Sequence, residues 1–311
     1  MRLVWYRGSW AAYDPKTKRR TALRTTDRAL AEQLLADLIK NTAHKVETVS
    51  EAMAAYLDEK DTTTAAPERL REAWIPLKPH FGNLRPDQVT RKLCREYHEE
   101  RKAGPGTINK ELRTLRAGLN WHDKNNGAQF EFLPNPPPRD RRLTLPEYRK
   151  LRDAAKMRHV RAFIILALAT AARKGALLDL TWDRVDFEGG IITLSTGEGG
   201  RKGRATIPMT KAARECLEEL KNAALTDYVI EWAGKPVQSI KKGFAAACKR
   251  SGVECTPHVL RHTAACWMAE AGTPMSEIAQ VLGHTDSRIT ERVYAKYSPD
   301  YLRGAISALE T

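Results

Sequence analysis

The chain has 311 residues, enough for about two domains with real cores. Its 52 Lys and Arg against 38 Asp and Glu give a net charge of +14, which asks for a polyanionic partner. Hydrophobic residues make up 42% and are not gathered into a bilayer-long run or an N-terminal leader, so a membrane protein, a secreted disulfide scaffold and a disordered chain are excluded. The thiols Cys94, Cys216, Cys248, Cys255 and Cys266 are odd in number and irregularly spaced, as in a reducing, cytoplasmic compartment. Cys248, Cys255, His258 and His262 lack the two-to-four-residue knuckle spacing of a zinc site, and buried free thiols are the simpler reading.

In chain order, aromatic and β-branched residues at 3–6 and 10–13, with a third stretch at 18–23, predict a small sheet broken by Arg7-Gly8-Ser9 and Asp14-Pro15-Lys16. It carries Arg7, Lys18, Arg19 and Arg20. Asp27 caps a helix with Leu30, Leu34, Leu35 and Leu38 on one face. Residues 41–47 form a linker. Helices are expected over 52–60, 67–80, 86–102 and 107–123. The last has Ile108, Leu112, Leu115 and Leu119 at helical spacing, with Lys110, Arg113 and Arg116 elsewhere on its surface. The Pro-rich segment 133–138 is a stiff connector and the clearest boundary in the chain.

Beyond it, Thr144-Leu145-Pro146-Glu147 spells a capping box with an early proline. An apolar helix over 162–172 and strands over 185–187, 191–195 and 205–208 follow, and residues 210 onward read as mostly helical. Four pieces here carry chemistry. Arg173 follows the apolar helix. Lys202 is the only Lys in the glycine-rich turn 197–204. His258 and Arg261 stand three apart, on one helical face. Leu282-Gly283-His284 precedes Tyr294 by ten residues, counted from the histidine. Each alone has a bland reading: a helix-end charge, a solvated lysine, surface neighbours, a packing tyrosine.

In this order the pieces resemble the tyrosine recombinases, or phage-type integrases, and the resemblance covers the whole chain. Its most specific parts are His258-x-x-Arg261-His262-Thr263 and Leu282-Gly283-His284 with the following tyrosine. It implies a mainly α protein with small β-sheets (α+β) in three parts. Residues 1–43 would be an arm-binding three-stranded sheet plus helix, 44–130 an all-α core-binding domain, and 140–311 the mixed α/β catalytic domain. It also implies metal- and ATP-independent cleavage and rejoining of DNA with no cofactor. Tyr294 would form a 3′-phosphotyrosine, Arg173 and Arg261 would clamp the phosphate, and His284 would donate a hydrogen bond to it. Lys202 would protonate the leaving 5′-oxygen, and His258 would help move the tyrosine proton or orient the phosphate.

The implied partners are double-stranded attachment sites, three further copies of the chain in a homotetramer on DNA, and a host DNA-bending protein and an excisionase. The implied location is the bacterial nucleoid. The chain departs from the family in two places. The family's acidic residue three places after the first arginine is Ala176 here, with Asp179 or Glu198 as stand-ins, and Lys202 lies only six residues before Pro208. Tyr297, next to Ser298-Pro299, is the competing nucleophile. Two rival functions stay open. A regulator that only binds DNA could use residues 268–284 as a helix-turn-helix, but would not need Arg173, Lys202, His258, Arg261 and Tyr294 in series. A type IB topoisomerase shares the chemistry. The tail places Leu302, Ile306 and Leu309 on one face of a short helix, able to pack at home or on a neighbouring chain.

Overall fold

The computed structural model describes all residues except 16–18, 44–47, 138–139, 195–204, 308 and 310–311. The chain is mostly helical with small antiparallel sheets, and divides into two compact units, Met1–Pro138 and Arg139–Thr311. No described helix is long and apolar enough to cross a membrane.

The first unit begins with strands β1 (Arg2–Tyr6), β2 (Ser9–Asp14) and β3 (Arg19–Ala22), an antiparallel sheet in sequence order. The register pairs Arg2 with Tyr13 and Tyr13 with Arg20, so those residues share one face with Tyr6. Helix α1 (Arg28–Ala43) packs on β1 and β2, and Asp27 caps it by accepting the Ala29 amide at 2.8 Å.

Helices α2 (Val49–Thr63), α3 (Glu68–Phe81), α4 (Arg91–Glu100) and α5 (Pro105–His122) follow. Ile108, Leu112, Leu115 and Leu119 bury the face that their spacing predicts, against Met53, Leu77 and Phe81 of α2 and α3. Gly118 lets α5 approach closely, because a Cβ there would lie 2.4 Å from the Met53 sulfur. The helix expected over 86–102 is two pieces. Pro86–Gln88 makes a 3-10 turn, Val89 is extended, and Thr90 restarts the chain as α4 by capping Leu93. The break lets the buried Val89 offer its carbonyl to Gln129 at 2.8 Å. Buried Asn109 ties down the start of the connector, donating to the Leu133 carbonyl at 2.8 Å and accepting the Leu133 amide at 3.0 Å.

The second unit contains α6 (Leu145–Asp153), α7 (Arg158–Thr170), α8 (Lys174–Leu178), β4 (Val185–Asp186), β5 (Ile191–Thr193), β6 (Thr206–Pro208) and α9 (Lys211–Lys221). A hairpin β7 (Glu231–Trp232) and β8 (Lys235–Pro236) precedes α10 (Lys241–Ser251), α11 (Pro257–Glu270), α12 (Met275–Leu282), α13 (Ser287–Tyr294) and α14 (Arg303–Ser307). This hairpin was not expected in a stretch read as helical. It turns through Ala233 and Gly234, both at positive φ, which suits a two-residue hairpin turn.

The Thr144 capping box forms as its residues predict, with Thr144 Oγ1 accepting the Glu147 amide and Glu147 accepting the Thr144 amide at 2.8 Å. The apolar helix expected over 162–172 runs instead from Arg158 to Thr170. It buries Phe163, Ile164 and Leu166 fully, each such side chain worth about 2 kcal/mol. It ends at Ala171, which adopts a left-handed conformation at φ 51°. A second, smaller core joins Ala171 to Ala264, Ala265 and Ala269 of α11, Ile278 and Leu282 of α12, and Tyr294. The small residues of α11 let the segments bearing the candidate site close in on it.

Candidate active site

Ala171 turns the chain out of α7, and Arg173 follows at the N-cap of α8, half-buried. The left-handed turn aims the Ala171 carbonyl at α11, where Arg261 donates to it from Nη1 at 2.8 Å. Arg261 Nη2 donates to the Leu282 carbonyl at 2.7 Å and lies 3.2 Å from His284 Nε2. One buried guanidinium thus joins the ends of α7 and α12. The junction exists because Gly283, at φ 59°, ends α12 in the left-handed region and places His284 immediately after it. Since a guanidinium only donates, His284 Nε2 accepts here, and its Nδ1–H faces the hydroxyl of buried Thr290 at 2.9 Å.

The electrostatics describe a cationic spot. Burial, then the charge of Arg173, lowers Arg261 to about 10, so it stays charged at neutral pH but without its usual margin. His284 and His258 are held below the ordinary histidine value, first by desolvation and then by the charges of Arg261 and Arg173, with His262 also acting on His258. His258 sits in the first turn of α11 with its side chain exposed. Arg173, Arg261 and Leu282 line one small recess with Ala172, Ala176, Leu194, Ala205 and Val281. Such a site, with cations and neutral imidazoles around a recess, suits a tetrahedral anion. Ala176 is buried in this wall, so no carboxylate stands at that position. Lys202 and Glu198 lie outside the described residues.

Tyr294, the last residue of α13, is buried, and burial raises its phenol above the ordinary tyrosine value, with Arg261 opposing. Its hydroxyl lies 3.4 Å from His262 Nδ1. His262 Nε2 lies 3.2 Å from Asp140 Oδ1, and Lys296 donates to Asp140 Oδ2 at 2.6 Å. Tyr297 also gives its hydroxyl to Asp140, and its ring lies under Arg142 at 4.8 Å. Burial, then that carboxylate, pushes Tyr297 up to about 12. The two tyrosines therefore differ: Tyr297 is committed to a carboxylate, whereas Tyr294 faces an imidazole beside Arg261. His262, weighed in the sequence only as a zinc ligand, lies inside the quoted motif, and Asp140 stands among the arginines of 139–142 with no spacing signal to mark it.

The candidate DNA-contact residues fall in the first unit. Arg20 covers the rings of Tyr6 at 4.8 Å and Tyr13 at 5.5 Å, and Arg7 lies 5.2 Å from the Tyr6 ring. Arg19 lies in β3, and Lys18 is outside the described residues. Lys110, Arg113 and Arg116 are exposed on α5, the two arginines 5.5 and 5.0 Å from the ring of Phe132.

The family profile of the phage integrases matches residues 141–300. An integrase of Streptomyces ambofaciens is 29% identical over 188 residues, 50% of this chain and 48% of that protein. A tyrosine recombinase XerA of Pyrococcus furiosus is 27% identical over 217 residues, 64% of this chain and 73% of that one. The chain thus aligns with about half the length of the Streptomyces relative. Among solved structures, the Tn1549 transposon integrase in complex with a circular intermediate DNA superposes with a TM-score of 0.70 at 20% identity, over 85% of this chain and 100% of that one. A lambda integrase tetramer bound to a Holliday junction gives a TM-score of 0.61 at 20% identity, over 92% and 96% of the two chains. At these identities the structural likeness is one of fold. The matched profile takes in just over half of the chain and spans Arg173, His258, Arg261, His284 and Tyr294, and the chain belongs to the phage integrase family of tyrosine recombinases.

Proposed function

We propose that the chain is a site-specific DNA recombinase that cuts and rejoins double-stranded attachment sites through a 3′-phosphotyrosine on Tyr294. The observation that carries this reading is the junction at Arg261: one buried guanidinium, bonded beside His284 and electrostatically coupled to Arg173, with Tyr294 in the same small core. The Tyr294 oxygen attacks the scissile phosphorus, and the 5′-oxygen leaves. Arg173 and Arg261 take up the charge that builds on the non-bridging oxygens, and His284 adds a donor once its ring proton sits on Nε2, with Nδ1 then accepting from the Thr290 hydroxyl. Lys202 protonates the leaving oxygen, and His258 orients the phosphate. Arginines supply the positive charge, and the phosphotyrosine conserves the bond energy, so the scheme calls on no metal and no ATP.

Residues 1–43 would hold arm-type DNA through Arg7, Lys18, Arg19 and Arg20. Residues 44–130 would hold the core site through Lys110, Arg113 and Arg116, and 140–311 would carry the chemistry. Each chain has one nucleophile and recombination needs four cuts, so four chains would meet on two sites. The exposure of Leu302, Ile306 and Leu309 (57%, 59% and 74%) supports docking of the tail on a neighbouring copy. A host DNA-bending protein and an excisionase would set direction on the bacterial nucleoid.

The test is a denaturing gel after incubation with DNA captured from a random-sequence pool by the wild-type chain. Wild type and Tyr297→Phe should give a covalent adduct, and Tyr294→Phe should bind without one. An adduct in Tyr294→Phe would overturn the assignment. Strand exchange between two duplexes, rather than plain supercoil relaxation, separates a recombinase from a topoisomerase.

A further inference from the structure

We infer that His262 is the proton acceptor for Tyr294, held in the accepting tautomer by Asp140. This rests on Tyr294 being the nucleophile. A buried phenol whose ionisation is opposed by burial needs a base within reach, and His262 Nδ1 is 3.4 Å away. His258, to which the resemblance gives either a share in moving the tyrosine proton or the orienting of the phosphate, is exposed, and no hydrogen bond or ring contact between it and Tyr294 occurs among the described residues.

The tautomer follows from the groups around the ring. Asp140 receives the Lys296 ammonium and the Tyr297 hydroxyl, and those hydrogen bonds hold its carboxyl well below the usual range, hence ionised. A carboxylate can only accept, so the atom facing it, His262 Nε2, carries the ring proton. Nδ1 is then left with its lone pair toward Tyr294. The remaining titratable neighbours are Cys266, with Sγ 3.6 Å from Nε2, and His258 one turn earlier on α11. The rings of His262 and Tyr294 lie 5.3 Å apart at 39°, so the contact can shorten by a small swing of the phenol.

In the forward step the Tyr294 oxygen bonds to phosphorus as the bond from phosphorus to the 5′-oxygen breaks. The phenolic proton passes to His262 Nδ1, and the resulting imidazolium is balanced by Asp140. The 5′-oxygen takes its proton from a separate acid. In rejoining, the 5′-hydroxyl returns its proton to that same group as its oxygen bonds to phosphorus and displaces the tyrosine oxygen, which recovers its proton from Nδ1. Asp140 does not touch the reacting atoms and is a positioning residue. It lies just past the Pro-rich connector, and the segment that bears Lys296 and Tyr297 follows the nucleophile directly.

The experiment is single-turnover adduct formation by the full chain on a duplex captured covalently from a random-sequence pool by wild type. His262→Ala should slow adduct formation by about 100-fold or more, the scale of a lost general base, with gel-shift binding retained. Asp140→Asn should slow it by about tenfold, with Asp140→Glu recovering part of the loss. A fluorinated tyrosine of greater acidity at position 294 should shrink the His262→Ala deficit, because such a phenol depends less on a base. If His262→Ala fails to fold, His262→Asn, which fills the site without a basic nitrogen, takes its place in every arm. Wild-type rates in the His262 variant, or a deficit untouched by the fluorinated tyrosine, overturn the inference. An adduct in Tyr294→Phe instead overturns the nucleophile on which it rests.

Discussion

Among the described residues each unit buries one charged side chain, and the two are treated in opposite ways. Glu111 in α5 is closed on itself: Arg101 grips it from Nη2 at 2.9 Å and Nε at 3.2 Å, and Tyr97 donates to it at 2.6 Å. Burial first, then that carboxylate, raises Tyr97 above its ordinary value, so its hydroxyl stays protonated as a donor. Arg261 has no counter-ion among its described partners. Two carbonyls and an imidazole hold it, and the largest effect of another charge on it comes from the like-charged Arg173. A guanidinium has five N–H donors, and these contacts use about three. A satisfied buried pair organises a core, whereas an uncompensated buried cation with donors to spare organises a binding site for an anion.

The sharpest way to break that contrast is at the cations. Arg261→Ala and Arg173→Ala should each lower single-turnover DNA cleavage by at least about 100-fold, the scale of a lost anion-stabilising donor, with half-site binding kept. A near-normal rate in either variant removes that residue from the site. Next comes stability. Glu111→Ala leaves the buried Tyr97 hydroxyl without its acceptor, and should lower the opening free energy of α5 amides in hydrogen exchange by about 2 kcal/mol. Arg261→Met should cost α11 less. Losing the cation relieves desolvation and the repulsion from Arg173, which offsets the loss of donors to the Ala171 and Leu282 carbonyls. Equal costs would mean that the two buried charges are of one kind.

Much of this was legible in sequence, and what was not has a physical reason. The α5 stripe and the Thr144 box follow from contacts within a few residues, which spacing records. The order of Arg173, His258, Arg261, His284 and Tyr294 was readable as a family pattern. Asp140 was not, because it meets His262 across 122 residues and leaves no periodic signal. Nor was the end of α7 at Ala171, since alanine carries no left-handed preference. The carbonyl contact from Arg261, 90 residues away, accompanies that turn. The split at Val89 was hidden for the same reason: its partner Gln129 is remote.

Two smaller effects sharpen the comparison. Inorganic phosphate should slow exchange of the α11 and α12 amides and leave α5 unchanged, by about twofold when its concentration equals its dissociation constant. Protection of both units alike would signal a general salt effect. Thr144→Ala should cost the second unit about 1 kcal/mol in urea unfolding. The Arg141 hydrogen bond, helped by Thr144, holds Glu147 down to about 2. Its contribution is therefore present above the ordinary carboxylate range and fades as pH falls from about 4 toward 2. The group is partly exposed, so the effect is small, and a flat stability profile across that window would argue that solvent screens it out.

The most direct test of the central claim is to find the atom that carries the DNA. Wild-type protein trapped on captured duplex, digested with nuclease and protease, should yield one nucleotide-modified peptide in which fragmentation places the phosphate on Tyr294, with Tyr297 unmodified. A phosphate on Tyr297, or on any other side chain, would contradict the account.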